Sequence, residues 1–78
     1  MRKGRVAEII SEMLYKPGER PEDYEIVFLS RNGDKDTEIV RGSEIKPLHD
    51  RIIVGGREIP HHRIVEIRRR GVVLWRKV

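Results

Sequence analysis

The chain has 78 residues, enough for one domain (1–78) and too few for more. It has no cysteine, which excludes a disulfide framework, a thiolate zinc site and a cysteine nucleophile, and no apolar run approaches the roughly 20 residues of a membrane span. Charged residues make up 38% of the sequence with both signs abundant, a balance that suits a surface laced with ion pairs and is compatible with a heat-adapted source. With no signal-peptide h-region at the N-terminus, a soluble, cytoplasmic protein is the expectation. Aromatic residues are limited to Tyr15, Tyr24, Phe28 and Trp75, so the core must rest on Ile, Val and Leu.

Residues 2–15 place Val6, Ile9, Ile10, Met13 and Leu14 at i, i+3, i+4, i+7 and i+8, which predicts one amphipathic helix. The stretch from Lys16 to Pro21 ends it, because proline cannot continue the hydrogen-bond ladder. Tyr24 to Arg31 is β-branched and aromatic and reads as a strand whose contiguous apolar residues 26–29 suggest cover on both faces. Asn32-Gly33 signals a hairpin turn, with Thr37 to Val40 as the returning strand. Residues 42–45 form a tight connection, and Arg51 to Val54 a short strand that Gly55-Gly56 turns back towards Arg57–Ile59. Arg63 to Arg69 and Val72 to Lys77 complete the pattern around Gly71. The expected class is α+β: one N-terminal helix packed on five or six short antiparallel strands, as a curled sheet or a small, partly closed barrel.

The net charge of +4 is unevenly spread. Residues 1–5 carry three basic groups, and residues 61–78 carry six against Glu66, a balance of +5. Residues 6–60 hold eight basic and twelve acidic residues, a balance of −4. If the fold brings the two ends together they form one basic face, which on a small protein first suggests nucleic acid.

The register of the last hairpin decides the role of Trp75. With Arg70-Gly71 as a two-residue loop, Trp75 pairs with Glu66 and shares a surface with Arg68 and His62, where a base could stack. With a three-residue loop it pairs with Val65 and packs beside Ile67 in the core. His61 and His62 are neighbours, so in an extended strand they point to opposite faces and do not chelate one metal. No metal site and no cofactor are expected. Histidine beside Arg63 suits a phosphate, because guanidinium binds two oxygens in a fork and imidazole donates a directional hydrogen bond. RNA cleavage would need two histidines converging on one ribose, and nothing in the sequence brings His49 to the pair.

The stretches PEDYEIVFLSR (21–31), GSEI (42–45), IPHHRIVEI (59–67) and VLWRK (73–77), behind an amphipathic helix, resemble the small basic archaeal proteins of the RNA cyclic-group-end recognition domain family. The most specific parts are Pro60-His61-His62-Arg63-Ile64 and Leu74-Trp75-Arg76. The resemblance covers almost the whole chain. It implies recognition of RNA ends that bear a cyclic phosphate, with the family pattern falling on His62 and Arg63 and with Tyr24 and Trp75 as recurring aromatics. His61 departs from that pattern, which leaves open which histidine faces a ligand.

The leading expectation is therefore a noncatalytic RNA-binding module for a phosphate-bearing RNA end. His62 and Arg63 hold the phosphate in it, with His61 as the alternative histidine, Arg68 and Arg70 tracking the backbone, and Trp75 and Tyr24 as the aromatics. A small module that docks on a protein partner in an RNA-processing complex is the second reading, and an RNA phosphodiesterase the third.

Overall fold

The computed structural model describes residues 4–30 and 36–77. The predicted Asn32-Gly33 turn and most of the Arg31–Asp36 loop lie outside the described residues. So do Arg2 and Lys3 at the start of the expected helix.

The apolar stripe forms helix α1, Arg5–Tyr15, which buries Val6, Ile9, Ile10 and Met13. Lys16 closes it with a backbone bond to the Glu12 carbonyl, and Gly18 then takes a positive φ of 87° that directs the chain away. Seven strands follow among the described residues: β1 (Tyr24–Leu29), β2 (Thr37–Arg41), β3 (Ile45–Pro47), β4 (Arg51–Val54), β5 (Arg57–Pro60), β6 (Ile64–Arg69) and β7 (Val72–Arg76). They make two antiparallel sheets, one in the order β2-β1-β6-β7 and one in the order β3-β4-β5. The class is α+β as expected, with seven strands among the described residues where five or six were expected, and with two open sheets in place of one curled sheet or barrel.

Three short 3₁₀ turns, Pro21–Asp23, Gly42–Glu44 and His61–Arg63, each lead straight into a strand. Gly42 is required by space. A Cβ there would lie 2.5 Å from Met13 Sδ and 2.5 Å from the Pro21 carbonyl oxygen. Gly55-Gly56 makes the predicted tight turn, with φ of 55° and 83°.

α1 and the inner faces of both sheets share one core. Tyr24, Ile26, Phe28, Val40, Ile64 and Ile67 come from the four-stranded sheet, and Ile45, Ile52 and Ile59 from the three-stranded one. The outer face of the larger sheet is laid out by register: Glu25 stands opposite Arg41 and Arg68, and Val27 opposite Ile39 and Glu66. Among the described residues, no helix is long and apolar enough to cross a membrane.

Candidate functional site

The functional residues sort themselves by where β6 begins and ends. Pro60 fixes the backbone (φ −62°), and His61 to Arg63 then wind into a single 3₁₀ turn instead of the expected strand. At about three residues per turn, successive side chains diverge by roughly 120°. His61 turns towards a groove beside α1, His62 towards solvent, and Arg63 towards the end of β1. The turn is tied down by its backbone, because the His61 N–H donates to the Asp50 carbonyl (3.1 Å) and the Ile64 N–H to the His61 carbonyl.

Two cations flank this turn. Arg63 donates Nε (3.2 Å) and Nη2 (2.5 Å) to the Leu29 carbonyl. Lys77, carried just past β7 by its N–H bond to the Val65 carbonyl (2.8 Å), donates Nζ to the His62 carbonyl at 2.6 Å. Neither has a carboxylate within 4 Å among the described residues. Backbone carbonyls orient both groups without an ion pair, Glu38 feels the Arg63 charge only through space, and Arg63 keeps three of its five N–H donors for another acceptor.

His61 is half-buried. Burial pushes its pKa below the ordinary histidine value, Asp50 acts in the opposite direction, and His49 adds to the depression. Its Nε2 is sealed from solvent and has no hydrogen-bond partner among the described residues. His49 and His61 line the same groove, a juxtaposition that sequence reasoning did not reach. No group of three or more metal-ligating side chains occurs among the described residues.

The other expected site residues lie elsewhere. β6 runs from the Phe28 end of β1 to its Tyr24 end, so Arg70 and Tyr24 sit a strand length, about 20 Å, from the histidine turn. Tyr24 is 3% exposed, on the inner face, and donates its hydroxyl to Glu19 Oε1 at 2.9 Å. Burial, then Glu19, raises its pKa. It is a core residue and offers no face to a base.

Trp75 overturns both proposed registers. The hairpin does have the two-residue loop, with positive φ at Arg70 (51°) and Gly71 (81°), and Arg69 pairs with Val72. A bulge at Leu74 then slips the ladder by one residue, so that Trp75 pairs with Ile67 and packs against the core. The surface platform of Trp75, Arg68 and His62 is therefore not formed.

Of the cations expected to form one basic face, the described ones other than Arg63 and Lys77 are paired with carboxylates. Arg68 bonds Glu66 and lies 3.7 Å from Glu25, while Arg76 holds the other Glu66 oxygen at 2.9 Å. Arg69 meets Glu19 at 2.9 Å and Arg70 meets Asp23 at 3.2 Å. Arg5, the described cation of the N-terminal cluster, meets Glu8 at 3.3 Å. Glu66 sits 9% exposed between its two arginines, which hold its carboxyl below the usual carboxylate range, Arg68 first and Arg76 second. The i, i+2 spacing of Glu66 and Arg68 on one strand face was a signal for part of this pairing. Lys77 had no signal beyond its charge.

With the geometry in hand, the comparisons decide the family. The family model of the MJ1316 RNA cyclic group end recognition domain matches residues 1–77. The chain belongs to this family. A UPF0248 protein of Pyrococcus furiosus is 37% identical over 76 residues, covering 96% of this chain and 90% of that one. One from Thermococcus kodakarensis is 36% identical, covering 96% and 94%. A UPF0248 protein of Methanococcus maripaludis is 35% identical over 72 residues, covering 90% and 95%. No solved structure gives a significant match. The Pro60–Ile64 segment that carries the family resemblance is the segment that forms the histidine turn.

Proposed function

We propose that the protein is a noncatalytic RNA-binding module that recognises a phosphate-bearing RNA end, with a 2′,3′-cyclic phosphate as the preferred terminus. The turn His61–Arg63 is the seat of the phosphate. One observation carries this reading: Arg63 extends from that turn to the Leu29 carbonyl and Lys77 reaches the His62 carbonyl within it, beside exposed His62, and neither has a described carboxylate within 4 Å. The C-terminal arginines beyond it are each committed to a carboxylate. The family's description supports the choice of ligand.

The test is a titration of one labelled oligonucleotide ending in 2′,3′-cyclic phosphate, 3′-phosphate or hydroxyl. The cyclic end binds most tightly and the hydroxyl end least, and Arg63→Ala or Lys77→Ala narrows the difference. Equal affinity for the three ends removes end recognition. Absence of binding at low salt removes RNA.

Recognition is preferred to hydrolysis because the groove that holds His49 and His61 is walled mainly by apolar groups and, among the described residues, has no Lys or Arg in its lining. The anionic cyclic phosphodiester finds little there to stabilise its charge. Turnover of a cyclic-phosphate substrate that is lost in His61→Ala would reverse that preference.

A second reading, docking on a protein in an RNA-processing complex, has its own observation. Strand β7 is a sheet edge with Val72, Val73 and Leu74 all exposed, and such an edge accepts a partner's strand. Stoichiometric capture of a protein from nuclease-treated extract, abolished by Val73→Lys, would favour it.

A further inference from the structure

A groove of about 580 Å³ runs between α1 and the β3–β4 turn, and its relation to the histidine turn gives it a role. Its walls are apolar, with Leu14 and Ala7 on the helix side and Leu48 on the other. Three polar side chains, Ser11, His49 and His61, are set among them. Tyr15 stands at its margin with 76% of its surface exposed. The other three aromatic residues are turned inward: Tyr24 and Phe28 are core, and Trp75 packs against it. Tyr15 is thus the aromatic ring that this protein leaves available to a flat partner.

We infer that this groove seats the terminal nucleobase of the RNA whose phosphate is held at His62, Arg63 and Lys77. The inference rests on the RNA-end reading and adds a base subsite to it. Three observations support it together. First, His61 is the residue before His62, so a phosphate on one side of the turn places its own nucleotide within one residue of the groove. Second, the lining has the mixed chemistry that a base needs: apolar walls and a tyrosine for its faces, hydroxyl and imidazole groups for its edge. Third, His61 Nε2 is a buried side-chain nitrogen without a partner among the described residues, and such atoms are rare because each costs a lost hydrogen bond. A base edge supplies that partner once the ring turns towards the groove, whether Nε2 donates or accepts. An apolar side chain from a protein would leave it unsatisfied.

Few of these contacts read a specific base. Stacking is sequence-tolerant because every base has a π-face. The subsite therefore requires a base at the terminus without strongly selecting which one.

The experiment compares the parent with Tyr15→Ala and Arg63→Ala, using oligonucleotides that end in cyclic phosphate or hydroxyl. Tyr15 is too exposed for its truncation to disturb the fold. Tyr15→Ala weakens both ends alike, by about fivefold to a hundredfold, and preserves the preference between them. Arg63→Ala collapses the preference. In parallel, a nucleoside 2′,3′-cyclic monophosphate is titrated while the methyl resonances of Ala7 and Leu48 are followed. They shift with the nucleoside and stay still with ribose cyclic phosphate lacking a base. If Tyr15→Ala binds RNA within twofold of the parent and the methyls do not move, the groove assignment is wrong, while the phosphate site stands on the Arg63 result. If the parent binds neither oligonucleotide, both assignments fall together.

Discussion

Salt dependence offers the sharpest trial of the charge argument, because counting cations and inspecting their partners give different answers. Residues 61–78 contain six basic groups, and if all six met phosphates the affinity would fall with a log–log slope of about −4 on single-stranded RNA. In the structure Arg68, Arg69, Arg70 and Arg76 already face Glu66, Glu25, Glu19 and Asp23. That leaves Arg63 and Lys77, and two neutralised phosphates give a slope of about −1.4. Raising salt fourfold, from about 50 to about 200 mM, then costs about sevenfold in affinity instead of about three hundredfold. Arg63→Ala lowers the slope to about −0.7, and Arg70→Ala leaves it where it was. Fluorescence anisotropy with a short labelled RNA at four or five salt concentrations measures all of these. A parental slope steeper than about −3 would show that the exposed ion pairs open to receive phosphates, as weak surface pairs are able to do. The distinction between compensated and uncompensated cations would then lose its meaning.

Three further outcomes are expected. Gly42→Ala forces a methyl against the Pro21 carbonyl and Met13 Sδ, at 2.5 Å each, so thermal unfolding followed by circular dichroism should fall by roughly 5–20 °C, a loss of about 1–3 kcal/mol; an unchanged midpoint would mean that the two turns meeting there separate freely. Trp75→Leu costs about 1–2 kcal/mol of stability in denaturant titration yet leaves RNA affinity within about twofold, since the indole packs on the core; a large loss of affinity would restore the stacking platform. Burial disfavours the charged form of His61, with His49 adding to the effect and Asp50 opposing it, so the unfolded chain takes up that proton first. Stability therefore drops as pH falls below the ordinary histidine value of about 6.5, and His61→Gln flattens the profile between about pH 7 and 5. The carboxyls of Asp50 and Glu66, held low by their arginines, contribute only at more acid pH. An unaltered profile in the variant would place the titration elsewhere.

Much of the fold was readable because it rests on local patterns. The 3.6-residue stripe of α1, the Gly55-Gly56 turn and the β-branched strands are each specified by residues a few positions apart. Strand β3 was missed because three residues ending in Pro47 are too few to show a period of two. The bulge at Leu74 was invisible for a different reason. The extra residue interrupts no pattern, yet it moves Trp75 from one face of the sheet to the other. The site suffered most from long-range pairing. Arg69 and Glu19 are 50 positions apart, so nothing local says that their charges cancel. His62 and Arg63 were found from their chemistry and their motif, whereas Lys77 and Tyr15 gain significance only from where the chain carries them.

The 3₁₀ turn at His61–Arg63 behaves as a three-spoked hub, each spoke serving a separate neighbourhood. Removing or adding one amino acid between Pro60 and Ile64 would rotate every spoke by about a third of a revolution. The imidazole would leave its niche, the guanidinium would lose the Leu29 oxygen, and Lys77 would lose the His62 carbonyl. Length is thus the property of this connection least free to drift, even where the side chains themselves are exchanged.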